Sequence, residues 1–372
     1  MPLALDSRFS PRRRYLLGIS GGRDSVALLH TLLEAGAQKV VLCHLNHQLR
    51  GLFSAHDAAF VRDQAEACNL PFEIARANVQ RRAEEEKVSI EVASRRSRHT
   101  FFTECARKHR CNTVLLAHHA DDNAETILLN LLRGSAGFKG MRYESKVEVG
   151  RRKLTLLRPL LGVRRSEIDQ FLEATAIPYR DDASNADPFT PRNRLRAEIL
   201  PLLGELMARD VVPAIVRASE SSLESEEALD ELLQTLDLMD PQGRLFLPKM
   251  RKLAEPLQRR ALFLYLKDAG VANLSRDLVE RCLPLLSPDT PAKVSLPGAL
   301  HCCRRASRGR DRRSGTRPDE GDRVARQAGL DSPPHRPNAR GDGFGNGRVI
   351  RSGLAGRGAA ARVCSECTSI DS

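Results

Sequence analysis

Along the N-terminal half of the chain, short apolar runs alternate with longer stretches whose apolar positions recur every three or four residues. Residues 15–19 (YLLGI) predict a strand. Residues 24–34 predict a helix, with Val26, Leu29 and Leu33 at helical spacing and Gly36 as its stop. Residues 39–45 (KVVLCHL) predict a second strand, and Ser54 is suited to cap a helix reaching Cys68. A short strand over 72–75, a long helix over 90–109, a strand over 113–117 (TVLLA) and a helix over 120–132 continue the alternation. Elements in this order predict an α/β fold, a parallel sheet with helices on both faces. Such sheets bind ligands beyond the carboxyl ends of their strands. Three polar stretches fall at those ends: 20–25, 44–50 and 118–122.

Beyond Leu157 the pattern changes. Residues 164–174 predict a helix, the irregular run PYRDDASNADPFTPRNR follows, and helices resume from Leu195. A long helix over 221–238 leads to amphipathic segments over 257–268 and 275–286. This reads as an α/β domain over 1–203, linker helices over 204–240, a smaller, mainly helical domain over 241–303, and a tail over 304–372. The tail sustains no apolar period and holds 11 of the 25 glycines. Its 15 arginines, 8 acids and no lysine are what GC-rich codons give when read out of frame; a disordered segment is the alternative.

Charge adds little to this picture. The formal net charge is +12, but the tail holds an excess of 7, leaving only 5 for the 303 residues before it. A basic body favours a polyanionic partner, and at this level the argument for nucleic acid is weak. No apolar run reaches bilayer-spanning length, and MPLALDSRF lacks the basic-then-apolar order of a secretory leader. A soluble, cytoplasmic protein with no membrane partner is expected. Nine scattered cysteines suit reduced, packed thiols better than a disulfide framework.

The polar stretches carry candidate chemistry. In Ser20-Gly21-Gly22-Arg23-Asp24-Ser25, glycines let the backbone approach a ligand, and the N–H groups at the helix start attract an anion. Ser20 and Ser25 offer hydroxyls to phosphate oxygens. Asp24 repels phosphate unless Mg²⁺ bridges the two. A tight strand-to-helix turn accounts for the same residues, and no GxxxxGK[ST] is present. His44, Asn46 and Arg50 read either as pocket groups or as ordinary polar residues at a strand end. Glu91, Arg95 and Arg98 share one helix face, by itself a salt-bridged stripe. In HHADDNAET, His118 and Asp122 are four apart, and Asp122 and Glu125 three apart, gathering an imidazole and carboxylates at a helix start. A negative N-terminus answering the helix dipole is the bland alternative, and HExxH, the zinc pattern, is absent. Arg192, Arg194 and Arg196 read equally as phosphate contacts or as a basic surface loop.

SGGRDS resembles the SGGxDS motif of the PP-loop ATP pyrophosphatases, which cleave ATP between the α- and β-phosphates. Together with HLNHQLR, the ExxxRxxR from Glu91 to Arg98 and HHADDNAET, the chain resembles the tRNA(Ile)-lysidine synthetase family. The likeness continues through Gly134-Ser135, Gly140-Met141, Arg158-Pro159, Asp182, Ser184, Asn185, Asp187 and RNRLR, and weakens over LQRRALFLYL and KVSLPG. It implies that 1–203 is a catalytic, Rossmann-like PP-loop ATPase domain with ATP and Mg²⁺ as cofactors, and that 241–303 is substrate-binding. It implies L-lysine and a tRNA(Ile) with a CAU anticodon as substrates, lysine being joined to C2 of the wobble cytidine through an adenylated intermediate. On this resemblance, Ser20, Gly21, Gly22, Arg23, Asp24 and Ser25 meet the ATP phosphates, Asp24 meeting the metal as well. His44, Asn46 and Arg50 shape the nucleotide pocket. Asp121, Asp122 and Glu125 face the lysine ammonium or a metal. His118 takes the amine proton, since imidazole titrates near neutrality. Arg192, Arg194 and Arg196 contact phosphates of ATP or tRNA, with Arg192 counted among the catalytic residues. A homodimer follows by analogy alone. His99 and Ser94 stand where the family motif has Tyr and Ala, and 304–372 does not resemble the C-terminal domain of longer members. A tRNA thiolase of the same superfamily relies on paired cysteines, and Cys43, Cys68, Cys105 and Cys111 form no CxxC. A non-catalytic nucleotide- or RNA-binding module has no need of the acids at 121–125.

Overall fold

The structure, a computed structural model, describes residues 2–48, 52–135, 137–180, 190–272, 274–298, 300–306, 322–327 and 360–364. The chain divides into two compact units, Met1–Ser222 and Leu223–Ser372.

The first unit is built on six strands: β1 (Tyr15–Gly18), β2 (Val40–Asn46), β3 (Phe72–Arg76), β4 (Thr113–Leu115), β5 (Glu144–Val149) and β6 (Arg152–Leu157). Their order across the sheet is β3-β2-β1-β4-β6-β5. All neighbours pair in parallel except β5 and β6, an antiparallel hairpin at the edge. Helices α1 (Arg23–Glu34), α2 (Leu52–Ala67), α3 (Val79–Glu86), α4 (Ile90–His109), α5 (Ala120–Leu132) and α6 (Arg165–Thr175) connect or follow the strands.

Alternate strand residues serve opposite faces. Leu16, Val41, Cys43 and Leu154 pack with Phe101 and Phe102 of α4. Leu17, Leu42 and Leu157 pack with Val26 and Leu29 of α1 and with Ile168 and Phe171 of α6. Each such buried side chain contributes about 1.5–3 kcal/mol of burial. The continuous apolar runs of β1 and β2 therefore reflect a sheet covered on both sides, as expected. From β1 the chain winds outward through β2 and β3, then returns to β4 on the other flank of β1. This reversal opens a crevice at the carboxyl ends of β1 and β4.

Several local expectations are corrected. Residues 144–157, assigned no strand from sequence, form the β5–β6 hairpin; ESKVEV is charged, and its burial alternates along the edge. Helix α3 was also not expected. It buries only Val79 and Ala83, is capped by the Asn78 side chain, which accepts from the Arg81 N–H, and ends at Lys87 in the left-handed conformation. The RNRLR segment is helical rather than loop. Thr190 caps α7 (Pro191–Arg194), Pro191 sits where a missing N–H costs nothing, and a π-helical turn over Leu195–Ile199 continues into α8 (Leu200–Met207). The long helix expected from Ser221 begins earlier, as α9 (Val212–Thr235).

The second unit mixes helices with strands. Helices α10 (Leu247–Met250), α11 (Glu255–Asp268) and α12 (Arg276–Cys282) share a core with strands β7 (Leu245–Phe246), β8 (Lys293–Leu296) and β9 (Leu300–Ala306), through Leu245, Met250, Leu262, Leu266, Val279, Leu296 and Cys302. Two stretches of the 304–372 segment are strands, β10 (Asp322–Gln327) and β11 (Ala360–Cys364), both paired with β9. The remainder of that segment from residue 307 lies outside the described residues.

Candidate active site

The loop after β1 enters α1 at Gly22, a cap position with no side-chain hydrogen bond, so the helix start is left to other partners. Gly21 lies at φ 89°, and a Cβ there would sit 3.2 Å from Val61 and 3.3 Å from Phe60 of α2. The positive φ favours glycine at that point, and any side chain would also press on α2. Two serines brace the turn. The Ser25 hydroxyl donates to the Gly22 carbonyl at 2.9 Å and accepts the Ser20 N–H at 3.2 Å, and the Gly22 N–H donates to Ser20 Oγ at 3.2 Å. Arg23 Nη1 donates to Asp169 Oδ1 of α6 at 2.8 Å, which ties α1 to α6.

Helix α5 starts beside this loop, because β4 lies next to β1. His119 caps it, with Nδ1 accepting the Asp122 N–H at 3.4 Å while Asp122 Oδ2 accepts the His119 N–H at 3.3 Å. The imidazole, 1% exposed, lies among three carboxylates. Its Nε2 is 3.8 Å from Asp24 Oδ2 and 3.5 Å from Asp122 Oδ2, and its Nδ1 is 3.6 Å from Asp121 Oδ2. Burial opposes a positive charge on His119, but Asp121, Asp122 and Asp24 outweigh it and raise its pKa. The 20–25 loop and the acidic helix start thus share one buried side chain.

The acids are not equivalent. Asp121 accepts Arg164 Nε and Nη2 at 3.1 and 2.8 Å and the Arg165 N–H at 2.8 Å. Burial would raise its pKa, but His119, Arg164 and that N–H hold it well below the usual carboxylate range. Asp122 accepts Arg196 Nη2 at 3.0 Å, and despite burial its pKa is lowered by His119, His118 and Arg196. Glu125 is fully buried under the Arg196 fork, at 2.6 and 3.1 Å; burial raises its pKa in spite of that pairing. Arg192 lies 3.3 Å from Glu125 and donates to Thr126 Oγ1 at 2.7 Å. Arg194 turns the other way and pairs with Glu198 on the exposed side of the helix, so it does not join this cluster.

The histidines also need correction. His118 precedes α5 and is not on its face; its Nδ1 accepts Arg158 Nε at 3.2 Å, so Nε2 carries the hydrogen. Burial, joined by nearby Arg158, Arg98 and Arg192, outweighs Asp122 and lowers its pKa to about 3. The reason for giving it a proton-accepting role, titration near neutrality, does not hold here. His44 lies within β2, not after it. Its Nδ1 donates to the Ile19 carbonyl at 2.9 Å, its Nε2 is buried with no hydrogen-bond partner, and burial lowers its pKa. Asn46 ends β2 and accepts the Gln48 N–H at 2.8 Å. Arg50, Asp182, Ser184, Asn185 and Asp187 lie outside the described residues. Sequence reasoning gave no role to His119, although it stands in the motif, or to Arg164, Asp169 and Arg180, whose partners are distant in the chain.

Residues 4–203 match the PP-loop domain family. The chain is 35% identical over 305 residues to a tRNA(Ile)-lysidine synthase of Geobacter sulfurreducens, covering 79% of this chain and 62% of that one. It is 38% identical over 274 residues to the Thermus thermophilus tRNA(Ile)-lysidine synthase, covering 72% and 52%. With the Chlorobaculum tepidum tRNA(Ile)-lysidine synthase it shares 36% identity over 294 residues, covering 76% of this chain and 85% of the relative. The chain belongs to the tRNA(Ile)-lysidine synthase family. It spans only about half to three-fifths of the length of the Geobacter and Thermus relatives.

The residues present admit a divalent cation at one point. Asp24 Oδ1, 3.5 Å from Arg23 Nε, is buried and accepts no hydrogen bond. Among the described residues no group of three or more His, Cys, Asp or Glu side chains is arranged to hold a metal. One carboxylate oxygen fits Mg²⁺, which commonly takes one or two protein carboxylates and completes its shell with phosphate and water.

Proposed function

We propose that this chain joins L-lysine to C2 of the wobble cytidine in the CAU anticodon of tRNA(Ile), using ATP and releasing AMP and pyrophosphate. The meeting of Asp24 with Asp121 and Asp122 around His119 carries this reading, since it puts a phosphate loop and a cation-attracting cluster in one crevice. The chemistry needs both. A pyrimidine carbonyl oxygen is a poor leaving group, and transferring AMP to it makes departure easy. The lysine ε-ammonium gives up a proton to water, the free amine attacks C2, and AMP leaves with the former carbonyl oxygen.

Ser20, Ser25 and the open N-terminus of α1 receive the triphosphate. Asp24 would hold Mg²⁺, whose charge offsets that of the phosphates. In this reading Asp122, which shares the Arg196 guanidinium with Glu125, receives the lysine ammonium, while Arg164 engages Asp121. His118 stays neutral and offers its Nε2–H as a hydrogen-bond donor. Arg192 and Arg196 balance the carboxylates and hold them in place. Positioning and preorganised charge do most of the work in such a transfer.

The test is mass spectrometry of a tRNA(Ile) digest after incubation with ATP and lysine. Lysine joined to the wobble cytidine, with lysine-dependent release of AMP and pyrophosphate, is the expected outcome. No incorporation into that tRNA would overturn the reading.

A further inference from the structure

We propose that Arg180 is a positioning residue that fixes the peptide plane of the phosphate loop and so sets its affinity for the nucleotide. The inference deepens the reading above and rests on it for the ligand alone. Arg180 reaches the loop through its backbone. Its N–H donates to the Gly21 carbonyl at 3.0 Å, and Gly22 and Arg180 form a parallel bridge. The Gly22 N–H, on the other side of the same peptide bond, donates to Ser20 Oγ at 3.2 Å. In a trans peptide the carbonyl and N–H point in opposite directions. Arg180 therefore draws the Gly21 oxygen away from Ser20 and keeps the N–H on the side of the two serines. A flipped peptide would turn a carbonyl lone pair toward an incoming phosphate.

What holds Arg180 is its side chain. Nε donates to Asp57 Oδ1 of α2 at 2.5 Å, with both groups partly shielded from water. Asp57 is three and four residues before Phe60 and Val61, so all three share one face of α2. Phe60 and Val61 are the side chains against Gly21. Helix α2 thus grips the loop twice, directly through apolar contact at Gly21 and indirectly through Asp57 and Arg180. Two flexible glycines are fixed by a closed circuit, which lowers the ordering cost of binding an anion there.

Hydrogen–deuterium exchange across residues 20–26 and calorimetric titration with Mg-ATP test this. Arg180→Ala and Asp57→Asn are each expected to speed exchange of the loop amides about fivefold or more and to weaken Mg-ATP binding about tenfold. The double variant is expected to be no weaker than either single one, because both break the same link. Arg180→Lys, which keeps a cation for Asp57, is expected to recover part of the affinity. Unchanged loop exchange in both single variants, or additive losses in the double variant, would overturn the proposal. Should Arg180→Ala fail to fold, the isosteric Asp57→Asn gives the same readout. A wild-type chain that does not bind Mg-ATP would sink the nucleotide reading, while loop exchange would still decide whether Arg180 holds the peptide.

Discussion

Asp24 brings a carboxylate into the first turn of α1, where the helix dipole favours negative charge, and leaves Oδ1 without a donor. Asp24→Asn keeps the shape and removes the charge. Its kcat/KM in steady-state lysine incorporation is expected to fall at least about tenfold, or ~1.4 kcal/mol of transition-state stabilisation. Turnover at the wild-type level would detach Asp24 from phosphates and metal alike. Two arginines of RNRLR supply a contrast. Arg196→Ala strips the fork from fully buried Glu125 and is expected to cost about 3 kcal/mol or more in urea denaturation. Arg194→Ala removes only an exposed pair with Glu198 and is expected to leave the midpoint unchanged. Equal losses would mean that the two side chains do not differ in environment. Sequence could not separate these arginines, since residues two apart on a helix face nearly opposite ways, and the Thr190 cap and π turn decide which faces inward. The adjacent histidines posed the same difficulty: which of them caps α5 depends on where β4 ends.

At the scale of elements, Asp121 binds the start of α5 to the start of α6 through Arg164 and the Arg165 N–H. Its folded pKa lies below the ordinary 3.8, so the contact stabilises fully above about pH 4 and is lost as pH falls through the lower folded value. The stability gap between the wild type and Arg164→Ala is therefore expected to hold from about pH 7 to pH 5 and to narrow below about pH 4, as read by urea titration at each pH. A gap that stays constant into that acid range would contradict the pairing. Gly140 offers a test of packing. A Cβ there would lie 2.5 Å from Asn123 Oδ1, 2.8 Å from Ser219 Oγ and 2.9 Å from Ile127 Cγ1. Gly140→Ala is expected to cost about 1–3 kcal/mol, seen as a lower thermal midpoint. Buried strands were the most legible elements, because YLLG and VVLC are apolar throughout. ESKVEV and the α3 segment were illegible, since an edge strand and a polar surface helix bury too little to leave a period.

For the whole molecule, the parallel sheet and the three polar stretches at its strand ends could be read from alternation alone. What could not be read were the links that fix the crevice. Arg158 to His118, Arg164 to Asp121 and Arg180 to Asp57 join residues far apart in the chain, and no local spacing announces them. The β1–β4 neighbourhood has a consequence in time as well as in space. These strands pair directly although they span Tyr15–Gly18 and Thr113–Leu115, and the arginines that hold Glu125 come later still, at 192 and 196. During synthesis the nascent polypeptide exposes SGGRDS early, yet the carboxylate of Glu125 can find its two arginine partners only once the ribosome has passed Arg196.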